Sequence, residues 1–143
     1  MNNSQERIIV STGDIPYQYE IIEPVYYQVS NKMSLFGESQ YIRLEKKYKQ
    51  LLQQLHTQNR TTSIAGGQAL SNVLMAFMGE FPQHTTQFER AFYMAVEELK
   101  LAVKSIGGNG LIYLRQDIDL DTTGFQFFYL QMYGTAVKIT GPK

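Results

Sequence analysis

From Thr86 to Ile106, apolar residues recur at three- and four-residue steps: Phe88, Phe92, Ala95, Leu99, Ala102 and Ile106. The run stops against Gly107-Gly108-Asn109-Gly110, and a strand-like segment, "LIYLRQD", follows at once. This sequence of events constrains the fold more than any other feature. A long amphipathic helix must bury its stripe, and the nearest apolar surface in the chain is a set of strands. Thr86 and Glu89 have the spacing of a capping box, which predicts the helix start there. Gly107 stands where a left-handed C-terminal cap is wanted. The glycines do not suit a phosphate, because phosphate-cradling loops run strand, glycines, helix. Here a helix C-terminus with its partial negative charge comes first.

The strands are read from their two-residue period. A short β-branched run, "RIIVST", is broken by Gly13-Asp14 and Pro16. A second strand is predicted over about 18–29, with Tyr19, Ile21, Val25, Tyr27 and Val29 on one face. Pro24 places that strand at a sheet edge or gives it a bulge. In the segment after the glycines, Ile112, Leu114, Ile118 and Leu120 point one way, and Tyr113, Arg115, Asp117 and Asp119 the other. The last strand, Phe125 to Ile139, is apolar on both faces. Phe125, Phe127, Tyr129 and Tyr133 alternate with Phe128, Leu130 and Met132. A strand of that kind needs covering on both sides. The long helix covers one, and a second subunit is the expected cover for the other.

The middle of the chain reads as helical. Tyr41, Leu44, Tyr48, Leu51 and Leu55 form a narrow stripe over about 39–57, "HTQNRTTS" reads as a loop, and Leu70, Val73, Leu74 and Phe77 mark a helix near 67–78. The expected architecture is α+β. A small antiparallel sheet of about four strands packs against a long helix in a single domain, 1–143, with a helical insertion at about 31–82.

Composition removes several function classes. Lys plus Arg and Asp plus Glu number 13 each, so the net charge is zero and no basic excess points to nucleic acid. Lys46, Lys47 and Lys49 share their segment with glutamates and read as a solvated helix face. There is no cysteine, hence no disulfide, thiolate zinc site or cysteine nucleophile. "MNNSQERIIV" lacks the pattern of a secretory signal, and no segment reaches the ~20 apolar residues that span a bilayer. The expected location is cytoplasmic, with no membrane or nucleic-acid partner and no cofactor.

Candidate chemistry is sparse. Asp117, Asp119 and Asp121 alternate like calcium ligands, but a calcium loop needs Gly at its sixth position and Glu at its twelfth, where this chain has Thr122 and Phe128. A solvated strand end is the preferred reading. His56 and His84 lie far apart without HExxH, and Met75 and Met78 near His84 have the spacing of core residues. No metal site is assigned; Asp117, Asp119, Asp121 and His84 are the residues a cation would use. No GxSxG elbow marks a nucleophile. Ten tyrosines and no tryptophan leave Tyr26, Tyr27, Tyr129 and Tyr133 on strands. That aromatic surface suits a subunit interface, or else a planar ligand.

Both ends of the chain resemble the YbjQ-like family, described as heavy-metal-binding proteins. "IIVST" followed by "YEIIE" is similar to that family's opening strands. "GGNGLIYLRQD" is similar to its turn into a strand carrying Arg and Asp two residues apart, here Arg115 and Asp117, and "GTAVKI" resembles its final strand. The resemblance implies a small α+β fold, related in style to dodecin-like sheets, that assembles into a ring, commonly of five subunits. Residues 31–82 are longer and more helical than the family's usual connection. The metal function is not carried over, since it rests on analogy with CxxC domains and this chain has no cysteine.

The expected function is therefore that of a non-enzymatic, ring-forming homo-oligomer. It would hold a small ligand at its subunit interfaces near Tyr113, Arg115, Asp117, Tyr129 and Tyr133. The alternatives are a heavy-metal or divalent-cation binding module, an enzyme with an interface active site using Arg115 and Asp117, and a partner protein docked on the helices at 39–79.

Overall fold

The computed structural model describes residues 7–32, 39–58, 82–121 and 127–142. In chain order these form β1 (Ile9–Val10), β2 (Tyr17–Ser30), α1 (Gln40–Lys47), α2 (Lys49–Gln58), α3 (Pro82–Ser105), β3 (Gly110–Asp121) and β4 (Phe127–Pro142). The fold is α+β, a small sheet packed against a helix. The helix expected near 67–78 lies outside the described residues, as does Phe125.

The four strands lie in the order β1-β3-β4-β2. β1 pairs with β3 in parallel, Ile9 with Gly110 and Val10 with Leu111. The connection across 122–126 is too short for a parallel crossover, so β3 and β4 run antiparallel. The sheet is thus mixed and not wholly antiparallel, as the sequence had suggested. β2 is an edge strand, which accommodates Pro24.

The chain divides into two compact units, one of Met1–Gln28, Ala95–Asp119 and Gln131–Lys143, the other of Val29–Met94 and Leu120–Leu130. In the first, Ala95, Leu99 and Val103 of α3 are fully buried, as are Leu111, Met132 and Ala136 of the strands. Each large side chain so buried contributes roughly 1.5–3 kcal/mol. A smaller cluster joins Ile15, Ile112 and Val137, flanked by Ile9, Tyr19 and Ile139. In the second unit Phe128 stacks at 4.3 Å on Phe88 and meets Tyr41 edge-on at 6.1 Å. Tyr41 and Leu44 of the predicted stripe are buried, but in α2 the buried residue is Leu52, whereas Leu51 and Tyr48 are half-buried. Among the described residues, no helix is long and apolar enough to cross a membrane.

Helix boundaries differ from expectation at three points. α3 begins at Pro82, four residues before the Thr86 capping box. Proline at the first helical turn has its φ already set and no N–H to leave unpaired, so the helix takes the earlier start. The segment expected as one helix over 39–57 is two, separated at Tyr48, whose φ of −108° and ψ of 26° leave the helical region. α1 is capped by Ser39, whose hydroxyl accepts the Ile42 N–H at 3.2 Å. α2 then runs on to Gln58, so the loop begins later than His56.

The C-terminal cap is as predicted. Gly107 has φ +84°. Its N–H donates to the Lys104 carbonyl at 3.1 Å, and the Gly108 N–H donates to Val103 at 2.9 Å. This is a Schellman motif. A Cβ at Gly107 would meet nothing within 4 Å, so only the backbone conformation asks for glycine there. Gly107→Ala is expected to lower stability by about 1–2 kcal/mol, read from urea unfolding followed by circular dichroism. Unchanged stability would show that the cap relaxes without cost.

Candidate functional site

The contact of β3 with the N-terminal segment starts as a regular parallel ladder and then breaks. The Ser11 N–H donates to the Leu111 carbonyl at 2.9 Å. In an even parallel ladder the Tyr113 N–H would return to Ser11. Instead the Leu114 N–H does so, at 3.1 Å, and the Tyr113 N–H goes to Gly13 at 3.1 Å. One residue has been inserted, a β-bulge, and Tyr113 takes it up with φ 53°. Tyrosine in a left-handed conformation is strained. The bulge resets the alternation. Leu111 and Leu114, three apart, are both buried, and a Cβ on Gly134 would meet Leu111 Cδ1 at 2.8 Å and Leu114 Cα at 3.5 Å.

The loop against this bulge is tightly tied. Ser11 Oγ accepts the Gly13 N–H at 3.1 Å and donates to the Asp14 carbonyl at 3.2 Å. Asp14 Oδ1 accepts the Ile15 N–H and the Tyr19 hydroxyl, both at 2.8 Å. That hydrogen bond to Asp14 is the first cause holding the Tyr19 phenol above its ordinary pKa; partial desolvation and the charge of Asp14 add to it, and so does nearby Tyr113. Arg115 Nη1 donates to the Thr12 carbonyl at 2.7 Å and more weakly to its neighbour Leu114 at 3.4 Å.

The structure thus brings Tyr113 and Arg115 together with Thr12–Asp14 and Tyr19. Nothing in the one-dimensional pattern marked the loop as part of a site; the Ser11-Thr12-Gly13-Asp14 turn composition was the only signal. Asp117 and Asp119 follow along β3, exposed, and Arg115 and Asp117 form no ion pair with each other. Asp121 ends β3 and His84 lies in the first turns of α3; their side chains are outside the described residues. Among the described residues, no three His, Asp or Glu side chains converge as metal ligands would.

The two faces of β4 differ. Phe128, Leu130 and Met132 are buried, whereas Tyr129 is half-buried and Tyr133 exposed. Gly134 lies against the Ile112 carbonyl and Leu114, which sets Tyr133 beside the bulge. On the other side of β4, Asn31 Oδ1 accepts the Phe128 N–H at 2.9 Å, and Ile22 and Val137 both flank Gly108. These contacts accord with β2 lying beside β4 in the sheet. Ile22 turns toward the helix end at Gly108. Ile21 is 70% exposed, Tyr26 56%, Tyr113 44% and Tyr133 39%. The sheet therefore leaves Ile21, Tyr26, Tyr113 and Tyr133 uncovered, the last two beside the bulge.

The second unit has a buried polar feature of its own. The Tyr41 hydroxyl is buried and makes no hydrogen bond of good geometry. Burial, and then the Glu45 carboxylate, hold its pKa well above the ordinary value. Arg90 lies near enough to oppose that shift, and its ion pair with Glu45 is long, 3.5 Å. Partly exposed pairs of this kind contribute little. The Tyr41 hydroxyl reads as a core residue's polar tip.

No protein-family model matches the chain, and no curated protein matches it. Among solved structures, the chain is similar to a protein of unknown function from Pediococcus pentosaceus, assigned to the DUF74 family. The two are 18% identical, with a TM-score of 0.48 over 93% of this chain and 98% of that one.

Proposed function

We propose that the chain is a self-assembling homo-oligomer without a catalytic centre of its own, and that the tyrosine-bearing sheet face is its subunit interface. The observation that carries this is the exposure of Ile21, Tyr26, Tyr113 and Tyr133 within one compact unit. Aromatic side chains supply large contact area at small entropic cost, and a contiguous patch of them in water favours association. The zero net charge leaves no general repulsion between copies. A ring of five is the assembly the YbjQ-like resemblance implies. Phenol groups lining such a junction also suit a small planar ligand held between subunits.

Native mass spectrometry and sedimentation of the full chain test this directly. The expected result is a multi-subunit mass at micromolar concentration, with any retained small molecule visible as excess mass. A stable monomer would overturn the reading.

A further inference from the structure

Arg115 is held differently from an ordinary surface arginine. One arm of its guanidinium is fixed on the Thr12 carbonyl at 2.7 Å, while the side chain remains exposed beside Tyr113. Among the described residues it has no carboxylate partner. Yet its own unit exposes several carboxylates with no partner: Asp117 and Asp119 further along β3, and Glu20 and Glu23 on β2. An anchored cation thus stands among unpaired acids that do not reach it within one copy.

We propose that Arg115 is the hook by which one copy takes a carboxylate of a second copy. This rests on the homo-oligomer reading and adds the contact that fixes its register. The occupant follows from charge complementarity, since each copy presents the anchored Arg115 guanidinium together with the exposed, unpaired acids Asp117, Asp119, Glu20 and Glu23. A guanidinium already immobilised on Thr12 loses less freedom when it pairs, and its remaining N–H groups present the fork geometry that carboxylates fit. Tyr113 and Tyr133 flank it and, once covered, exclude water from the pair. The strained bulge at Tyr113 has a use in this reading, because it brings a tyrosine and the anchored arginine to the same exposed junction. If the acid is Asp117 or Asp119, the contact is reciprocal across a two-fold axis. If it is Glu20 or Glu23 on the opposite sheet edge, the contact is head-to-tail, the kind that forms a ring when its rotation closes.

The test is a charge swap read by native mass. Arg115→Asp and Arg115→Gln are each expected to weaken association at least tenfold. The glutamine keeps an N–H for Thr12, so it separates loss of the charge from damage to the loop; thermal melts monitor folding of both. Arg115→Asp is then combined singly with Asp117→Arg, Asp119→Arg, Glu20→Arg or Glu23→Arg. Restoration of the wild-type mass by one of these supports the proposal and identifies the acid. A wild-type oligomer that tolerates Arg115→Gln unchanged, or that no swap restores, overturns the hook and leaves the oligomer reading standing. A monomeric wild type overturns both.

Discussion

Phe128→Ala is expected to cost about 3–5 kcal/mol, the range for truncating a fully buried aromatic. The ring is 1% exposed, stacks on Phe88 with centroids 4.3 Å apart and takes the edge of Tyr41 at 6.1 Å. Removing it leaves a cavity that α3 and α1 can only partly close, because each is a rigid helix with its own backbone hydrogen bonds. A chain of this size should then melt roughly 10–15 °C lower. The neighbouring Phe127 provides the control. It lies on the other face of β4, half-buried, with the Lys32 ammonium 6.0 Å from its ring centre. Phe127→Ala should cost within about 1 kcal/mol. Urea unfolding of both variants checks the contrast. Equal losses would show that the alternation of β4 does not describe where its core lies.

That alternation was legible in the sequence, and so was the Gly107 cap, because each depends on residues close along the chain. The period of two separates Phe128, Leu130 and Met132 from Tyr129 and Tyr133 without any tertiary information. Contacts between distant segments were not legible. The parallel pairing of Ile9 with Gly110 joins opposite ends of the chain, and no local pattern announces its direction. The bulge at Tyr113 has the same origin, since it exists because the carbonyls of Ser11 and Gly13 take N–H groups that an even ladder would place elsewhere. Alternation read through Ile112 and Leu114 therefore joined two residues that the bulge separates. Pro82 illustrates a local ambiguity, for a proline can follow one helix or open the next. The candidate site was half-visible for these reasons. Tyr113 and Arg115 could be named from their strand, but their partners Thr12, Asp14 and Tyr19 could not.

Asn109 was read as part of a turn, and the structure gives it a larger role, which makes it the second sensitive position. Its N–H donates to the Val137 carbonyl at 3.0 Å, its carbonyl accepts the Ile9 N–H at 3.0 Å, and its side-chain Oδ1 accepts the Ile139 N–H at 2.7 Å. One residue just past the helix cap thus ties β1 and β4 to the start of β3. The first two bonds survive any substitution that keeps the backbone; the third needs an oxygen at that reach. Asn109→Ala leaves the part-buried Ile139 N–H without an acceptor, at an expected cost of about 1–3 kcal/mol. Asn109→Asp keeps the oxygen and should retain most of the stability, since a carboxylate accepts at least as strongly. Urea unfolding gives the totals, and amide exchange at Ile139 locates the effect, with protection lost in the alanine variant and kept in the aspartate. If both variants lose stability equally, the amide donor side of Asn109 matters instead, and the oxygen's bond to Ile139 is incidental to how the three strands are joined.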